Sequence, residues 1–164
     1  MTMNEIDFTG KRIRYDSRLS FDDVLARLRA RVGETTLDYV VGLSGSREEF
    51  EAKVREHIGS SGFMLFTQID HGRWIEKFGI KRRLVRWIFG NPLIAITMLR
   101  HDYTAGLFVP IELLLAESDD GMSCNITYLL PSSLIAIDGN PQLLAAAQAL
   151  DAKAAALVAE AVAE

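Results

Sequence analysis

The sequence is poor in the residues that usually announce a chemistry. A single cysteine, Cys124, among 164 residues excludes an internal disulfide framework and fits a reducing compartment. Three histidines are present, but there is no His-x-x-x-His and no Cys-x-x-Cys, so the common zinc frameworks are missing. No Gly-x-Ser-x-Gly elbow occurs, and Gly42-Leu43-Ser44-Gly45 falls short of one. The apolar run Trp87–Leu99 is interrupted by Gly90-Asn91-Pro92 and is too short to span a membrane. Met1–Ile13 mixes charges instead of forming a basic-then-apolar leader. These absences together read as a cytoplasmic protein without a membrane span.

What is present is an ordinary globular mixture, 49% apolar and 24% charged, in a length that fits a single domain over residues 1–164. The net charge of −4 conceals an asymmetry. Residues 73–103 hold 7 basic and 2 acidic side chains, whereas 104–164 hold 1 basic and 8 acidic. A basic island therefore sits ahead of an acidic C-terminal third, which bears on surface potential and not on fold.

Local patterning predicts the elements. Ile13–Asp16 is a short strand. Ser20 can cap a helix whose apolar stripe is Phe21, Val24, Leu25, Leu28 and Val32, ending at Gly33. Ser46 and Glu49 spell a capping box for a second helix that carries Phe50, Val54 and Ile58 and ends at Gly59. The two segments, SFDDVLARLRARVG and SREEFEAKVREHIG, align at a 26-residue offset. With only two copies, convergence of two capped amphipathic helices is preferred to a repeat. Between them ETTLDYVVGLSG is ambiguous between strand and helix. A buried strand over 62–69, a short helix over 71–78 and a strand over 84–89 follow. Two further strands, 107–117 and 122–130, flank the turn Ser118-Asp119-Asp120-Gly121. Pro110 cannot donate to a ladder and belongs at an edge or at the start of its strand. An alanine-rich helix from Gln142, with the stripe Leu143, Ala147, Leu150, Ala154 and Leu157, closes the chain. Mixed elements around an antiparallel hairpin argue for an α+β fold, mainly antiparallel, with helices on one sheet face.

Gly-Asn-Pro occurs twice, at 90–92 and 139–141, each time before an apolar helical run. Asparagine caps helices and proline suits their first turn, so both copies read first as helix starts. The functional reading of the first copy is that the amides of Leu93 and Ile94 face an anion. Around it the ordered segments FMLFTQIDH, FGNPLIAITMLRHD, AGLFVPIELLLAESDDG and ITYLLPSSL, followed by a terminal helix, resemble the bacterial and archaeal family called domain of unknown function 302 (DUF302). The resemblance covers residues 62–163, with 13–32 supplying the first strand and helix and 34–59 an insertion. It implies a TBP-like fold in the order strand, helix, four strands, helix, and a tendency to form homodimers. It implies no established activity or cofactor.

Two carboxylate–imidazole pairs, Asp70/His71 and His101/Asp102, could serve a metal-assisted enzyme if they converge. No metal or cofactor is assigned, because the ligand spacing is wrong for one. Arg100 and His101 also suit the cation-favouring C-terminus of a helix. His57 is expected to be solvated, and Cys124, sharing a strand face with Ile126 and Tyr128, to be a core residue. The segment Arg73–Arg86 interleaves Trp74 and Phe78 with six cations, a pattern that can bind anionic surfaces or nucleic acid. Its expected arrangement is a solvated cationic face with the aromatics turned into the core, and the acidic remainder argues against a nucleic-acid protein. The reading reached is a homodimeric small-ligand or partner-binding module without a catalytic set. Asp70, His71, Asn91, Arg100 and His101 are its expected pocket, with Arg100 the partner of a small anionic ligand. An enzyme using the two pairs is the alternative, and surface binding through 73–86 the second.

Overall fold

A computed structural model describes residues 1–164. Strand β1 (Arg12–Ser17) leads into helix α1 (Phe21–Arg29), where Ser20 accepts from the amide of Asp23. Strand β2 (Gly33–Glu34) and helices α2 (Leu37–Gly42) and α3 (Arg47–Arg55) precede strand β3 (Met64–Asp70). Helix α4 (His71–Ile75) continues as a 3-10 turn through Phe78 and returns as strand β4 (Leu84–Gly90). Helix α5 (Pro92–Leu99) and a 3-10 turn (Tyr103–Leu107) lead to the hairpin of strands β5 (Ile111–Glu117) and β6 (Cys124–Leu129). Helices α6 (Pro131–Ile135) and α7 (Pro141–Val162) finish the chain.

The six strands lie in the order β1-β6-β5-β4-β3-β2, antiparallel except for the two-residue β2–β3 pair. Alternation decides which face is dry. Val85, Trp87 and Phe89 of β4, Ile111, Leu113 and Leu115 of β5, and Cys124, Ile126 and Tyr128 of β6 are all buried. They meet Phe21, Val24 and Leu28 of α1 and the predicted α7 stripe, every member of which is buried. Small alanines at 147 and 154 let α7 approach the sheet closely. The opposite face, which includes Arg14, Arg86, Leu114 and Thr127, has no helix over it and is only half-buried or exposed. This is the expected mixed, mainly antiparallel fold with helices on one face; between α1 and the terminal helix run five strands where four were expected, because the two-residue β2 adds to the sheet edge.

Several local expectations change. The ambiguous segment splits: its first residue, Glu34, joins Gly33 in pairing with β3, and Leu37–Gly42 becomes a helix capped by Thr36. Strand β5 begins at Ile111 and not at 107, because Asp102 caps a 3-10 turn and Pro110 cannot donate to the ladder. The short helix α6 offers too few residues for any period to be read. The two aligned helices have different surroundings: α1 buries three residues on the sheet, while α3 buries only Val54. Helix α3 ends before His57, which is half-buried with its ring 4.7 Å from that of Tyr39.

Candidate functional site

The first Gly-Asn-Pro builds a helix start and, beside it, a cavity. Asn91 is extended (φ −154°, ψ 119°), its Oδ1 accepts from the Leu93 amide at 2.8 Å, and its Nδ2 donates to the Gly62 carbonyl at 2.9 Å. Pro92 occupies the first turn, where no amide is needed. One side chain thus caps α5 and ties it to the residue preceding Phe63. The Ile94 amide bonds to the Asn91 carbonyl at 3.0 Å, so both amides expected to face an anion are already used.

Helix α5 leaves a cavity of about 140 Å³ against the end of the sheet. Phe63, Phe66, Met98, Leu99, Pro110 and Leu150 contribute to its wall. Of its 15 lining residues 11 are hydrophobic, and the polar groups of Asn91 are already bonded, so the space favours apolar over charged occupants. Gly90 keeps it open on one side: a Cβ there would lie 3.2 Å from Pro110 Cβ and 3.4 Å from the Phe66 ring. The sequence reading found Asn91 but missed the rest of this wall. Its residues come from α2, the start of β3, α5, the approach to β5 and α7, and no local motif joins them.

The five expected pocket residues do not converge. Asp70 pairs across the β3–β4 ladder with Val85, whereas Met64 pairs with Gly90. The segment after Asp70 therefore leaves one end of β4, and Asn91 with α5 leaves the other, roughly 20 Å away along the strand. Only Asn91 lines the cavity. Asp70 caps α4 by accepting from the Arg73 amide at 3.1 Å, and His71 Nδ1 accepts from Trp74 Nε1 at 3.1 Å. Arg100 is exposed and folds its Nε back to the Ile96 carbonyl at 3.2 Å, stabilising the C-terminus of its own helix. Asp102 accepts from the amide and hydroxyl of Thr104 and so caps the following turn without orienting His101. Asp70/His71 and His101/Asp102 sit on connections at opposite ends of β4 and share no site. No group of three or more His, Cys, Asp or Glu side chains is arranged to hold a metal ion.

The basic stretch is half neutralised. Arg82 pairs with Asp119, Arg86 with Glu112, and Arg83 grips both carboxylate oxygens of Asp22 while its guanidinium lies 4.2 Å over the Phe21 ring. That hydrogen-bonded guanidinium holds the Asp22 carboxyl below its ordinary range. The aromatics, expected in the core, are outside it: Trp74 is 50% and Phe78 76% exposed. Helix α4 and its 3-10 extension are too short to bury two faces, so the edge packed towards β4 takes the small Gly72 and leaves the rings in solvent. Cys124 is buried, and that burial pushes its thiol up to about 11, as befits a core residue.

No helix is long and apolar enough to cross a membrane. Among curated proteins nothing matches the chain. Among solved structures it is similar to the crystal structure of an uncharacterized conserved DUF302 protein from Bacillus stearothermophilus. The TM-score is 0.64 at 17% identity, over 92% of this chain and 97% of that one. At that identity the likeness speaks for the fold alone, in agreement with the mixed six-stranded architecture above. The family model described as "Domain of unknown function DUF302" matches residues 39–161, which include all of β3–β6 and every residue lining the Asn91 cavity except Leu37. Three-quarters of the sequence and four of the six strands fall within that match, and the chain belongs to the DUF302 family.

Proposed function

We propose that this protein is a homodimeric binding module that holds a small apolar ligand at the Asn91–Pro92 junction and carries out no reaction of its own. The observation that carries the reading is the cavity between α5 and the sheet end, of about 140 Å³ and largely apolar. A dry cavity of about that size is known to admit benzene or xenon. An apolar occupant is favoured over the anion expected with Arg100, because Arg100 is absent from the wall and the cap amides are bonded. The enzyme alternative loses support, since its two carboxylate–imidazole pairs sit at opposite ends of β4.

Calorimetry or ligand-observed NMR with benzene, indole and short alcohols tests the reading. Saturable binding is expected, and Ala95→Phe, which fills the space, removes it. If the folded wild-type protein binds none of these probes saturably, the cavity is only a packing defect and the reading fails.

Homodimerisation is the second part of the reading. The uncovered sheet face supports it. Across that face run Arg14, Thr127, Leu114, Arg86 and Ile69 in register on five neighbouring strands, a mixture of apolar and charged groups suited to a second copy.

A further inference from the structure

The connection between β3 and β4 leaves the molecule as a hook. Its two legs come together because Gly72 has no side chain: a Cβ there would lie 2.8 Å from the Arg82 carbonyl. Gly79, at φ +80° with nothing within 4 Å of its Cβ position, turns the tip in open solvent. Around that turn three large apolar side chains are exposed, Trp74 at 50%, Phe78 at 76% and Ile80 at 53%. The two rings are held in place. Trp74 Nε1 donates to His71 Nδ1, and the Trp74 and Phe78 rings meet edge to face at 6.2 Å. Interleaved with them, Arg73, Lys77 and Lys81 form no ion pair, unlike Arg82, Arg83 and Arg86 at the base. Glu76 is the hook's own single carboxylate.

Ordered aromatic and aliphatic groups at a solvent-facing tip, ringed by unpaired cations, match the requirements of an anionic lipid bilayer. Rings and aliphatics enter the headgroup boundary while Lys and Arg stems reach back to phosphates. We propose that this hook docks the protein on anionic membranes, with Trp74, Phe78 and Ile80 inserted and Arg73, Lys77 and Lys81 on lipid phosphates. Single-stranded nucleic acid fits less well. It binds along a cationic groove whose ring faces stack bases. Here the rings stand on a convex tip, and Asp119 and Asp120 lie on the turn that meets the hook's base through Arg82. A bilayer touches the tip alone.

The chain reports on this contact directly. It has two tryptophans, and Trp87 is 0% exposed, so vesicle-dependent changes in emission belong to Trp74. The experiment mixes the full chain with phosphatidylcholine vesicles, with and without phosphatidylglycerol, and follows emission and co-sedimentation. A blue shift and sedimentation with phosphatidylglycerol vesicles are expected, weakening steeply with salt and little seen with phosphatidylcholine alone. Lys77→Glu/Lys81→Glu should weaken binding about tenfold or more. Phe78→Ala should weaken it as well while leaving the circular dichroism spectrum intact, since its ring is outside the core. No shift and no sedimentation at low salt would overturn the proposal. So would binding indifferent to these substitutions, or retention of a single-stranded oligonucleotide in place of vesicles. Ligand binding at the Asn91 cavity is unaffected by these variants, so the two ideas fail separately.

Discussion

The amides of Gly33 and Gly59 donate to the same acceptor, the Phe63 carbonyl, each at 3.0 Å. They are the glycines that close the two aligned segments, and here their backbones lie against one another. A Cβ on Gly33 would fall 1.7 Å from the His57 carbonyl oxygen, and one on Gly59 2.4 Å from both the Arg31 oxygen and the Gly33 nitrogen. This junction ties the ends of α1 and α3 to the entrance of β3, next to the cavity wall at Phe63.

Gly33→Ala and Gly59→Ala should each cost about 3 kcal/mol or more, because the obstructing atoms are backbone and cannot rotate away. Their effects should be less than additive, since they break one shared junction. Gly42→Ala is the control. Nothing lies within 4 Å of its Cβ position at the end of α2, so it should be neutral or stabilise by about 0.5–1 kcal/mol. Urea denaturation of wild type, the three single variants and the Gly33→Ala/Gly59→Ala double variant checks the pattern, and equal midpoints for Gly33→Ala and wild type would refute it.

Met98 is fully buried and forms part of the cavity wall. Met98→Ala should destabilise the protein by about 2–5 kcal/mol through lost burial and a larger void. Benzene should restore part of that loss by binding the folded state alone. Thermal melts with and without benzene decide it: a variant that gains no more than wild type would show that Met98 does not border a ligand-accessible space.

These two cases mark how far the sequence could be read. Caps, turns and the α7 stripe were legible because they depend on neighbours within four residues: Ser46 with Glu49, Gly121 at φ +67°, Leu143 with Ala147. The Gly33–Gly59 contact and the cavity wall are made by residues far apart in the chain, and no local signal joins them. Trp74 and Phe78 misled for another reason. Aromatic residues at near-helical spacing ordinarily mark a core stripe, but α4 ends before it has a second face to bury. Asp70, His71 and Arg100 likewise have local duties, as a cap and as hydrogen-bond partners near helix ends, that single-residue chemistry mimics, and His101 is exposed.

Arg83 binds Asp22 through both carboxylate oxygens and lowers its pKa. A carboxyl lowered in the folded state contributes stability that is fully present above its unfolded value, about 3.9, and is lost as pH falls through the folded one. Asp22→Asn should therefore be less stable than wild type from neutrality down to about pH 5, and the gap should close at lower pH. High salt should narrow it too, because the pair is exposed. Chemical denaturation across this range checks both trends. A gap that stays constant down to about pH 2 would mean that the substitution perturbs α1 by some route other than charge.

Leu114 stands opposite Thr127 on one side and Arg86 on the other, at the centre of the uncovered sheet face. Five strands at about 4.8 Å spacing and six or seven residues each give a flat footprint of about 400 Å². Side-chain relief brings this towards the roughly 800 Å² per partner of a standard interface. Leu114→Arg would set a third cation into a row that already holds Arg86 and Arg14, and two copies meeting face to face would bring six together. The substitution should turn a dimer into a monomer while sparing the fold, because Leu114 points away from the core beneath α1 and α7. Light scattering after size exclusion measures the mass directly. A wild-type monomer at high micromolar concentration, or a dimer that survives Leu114→Arg, would remove this face as the point of association.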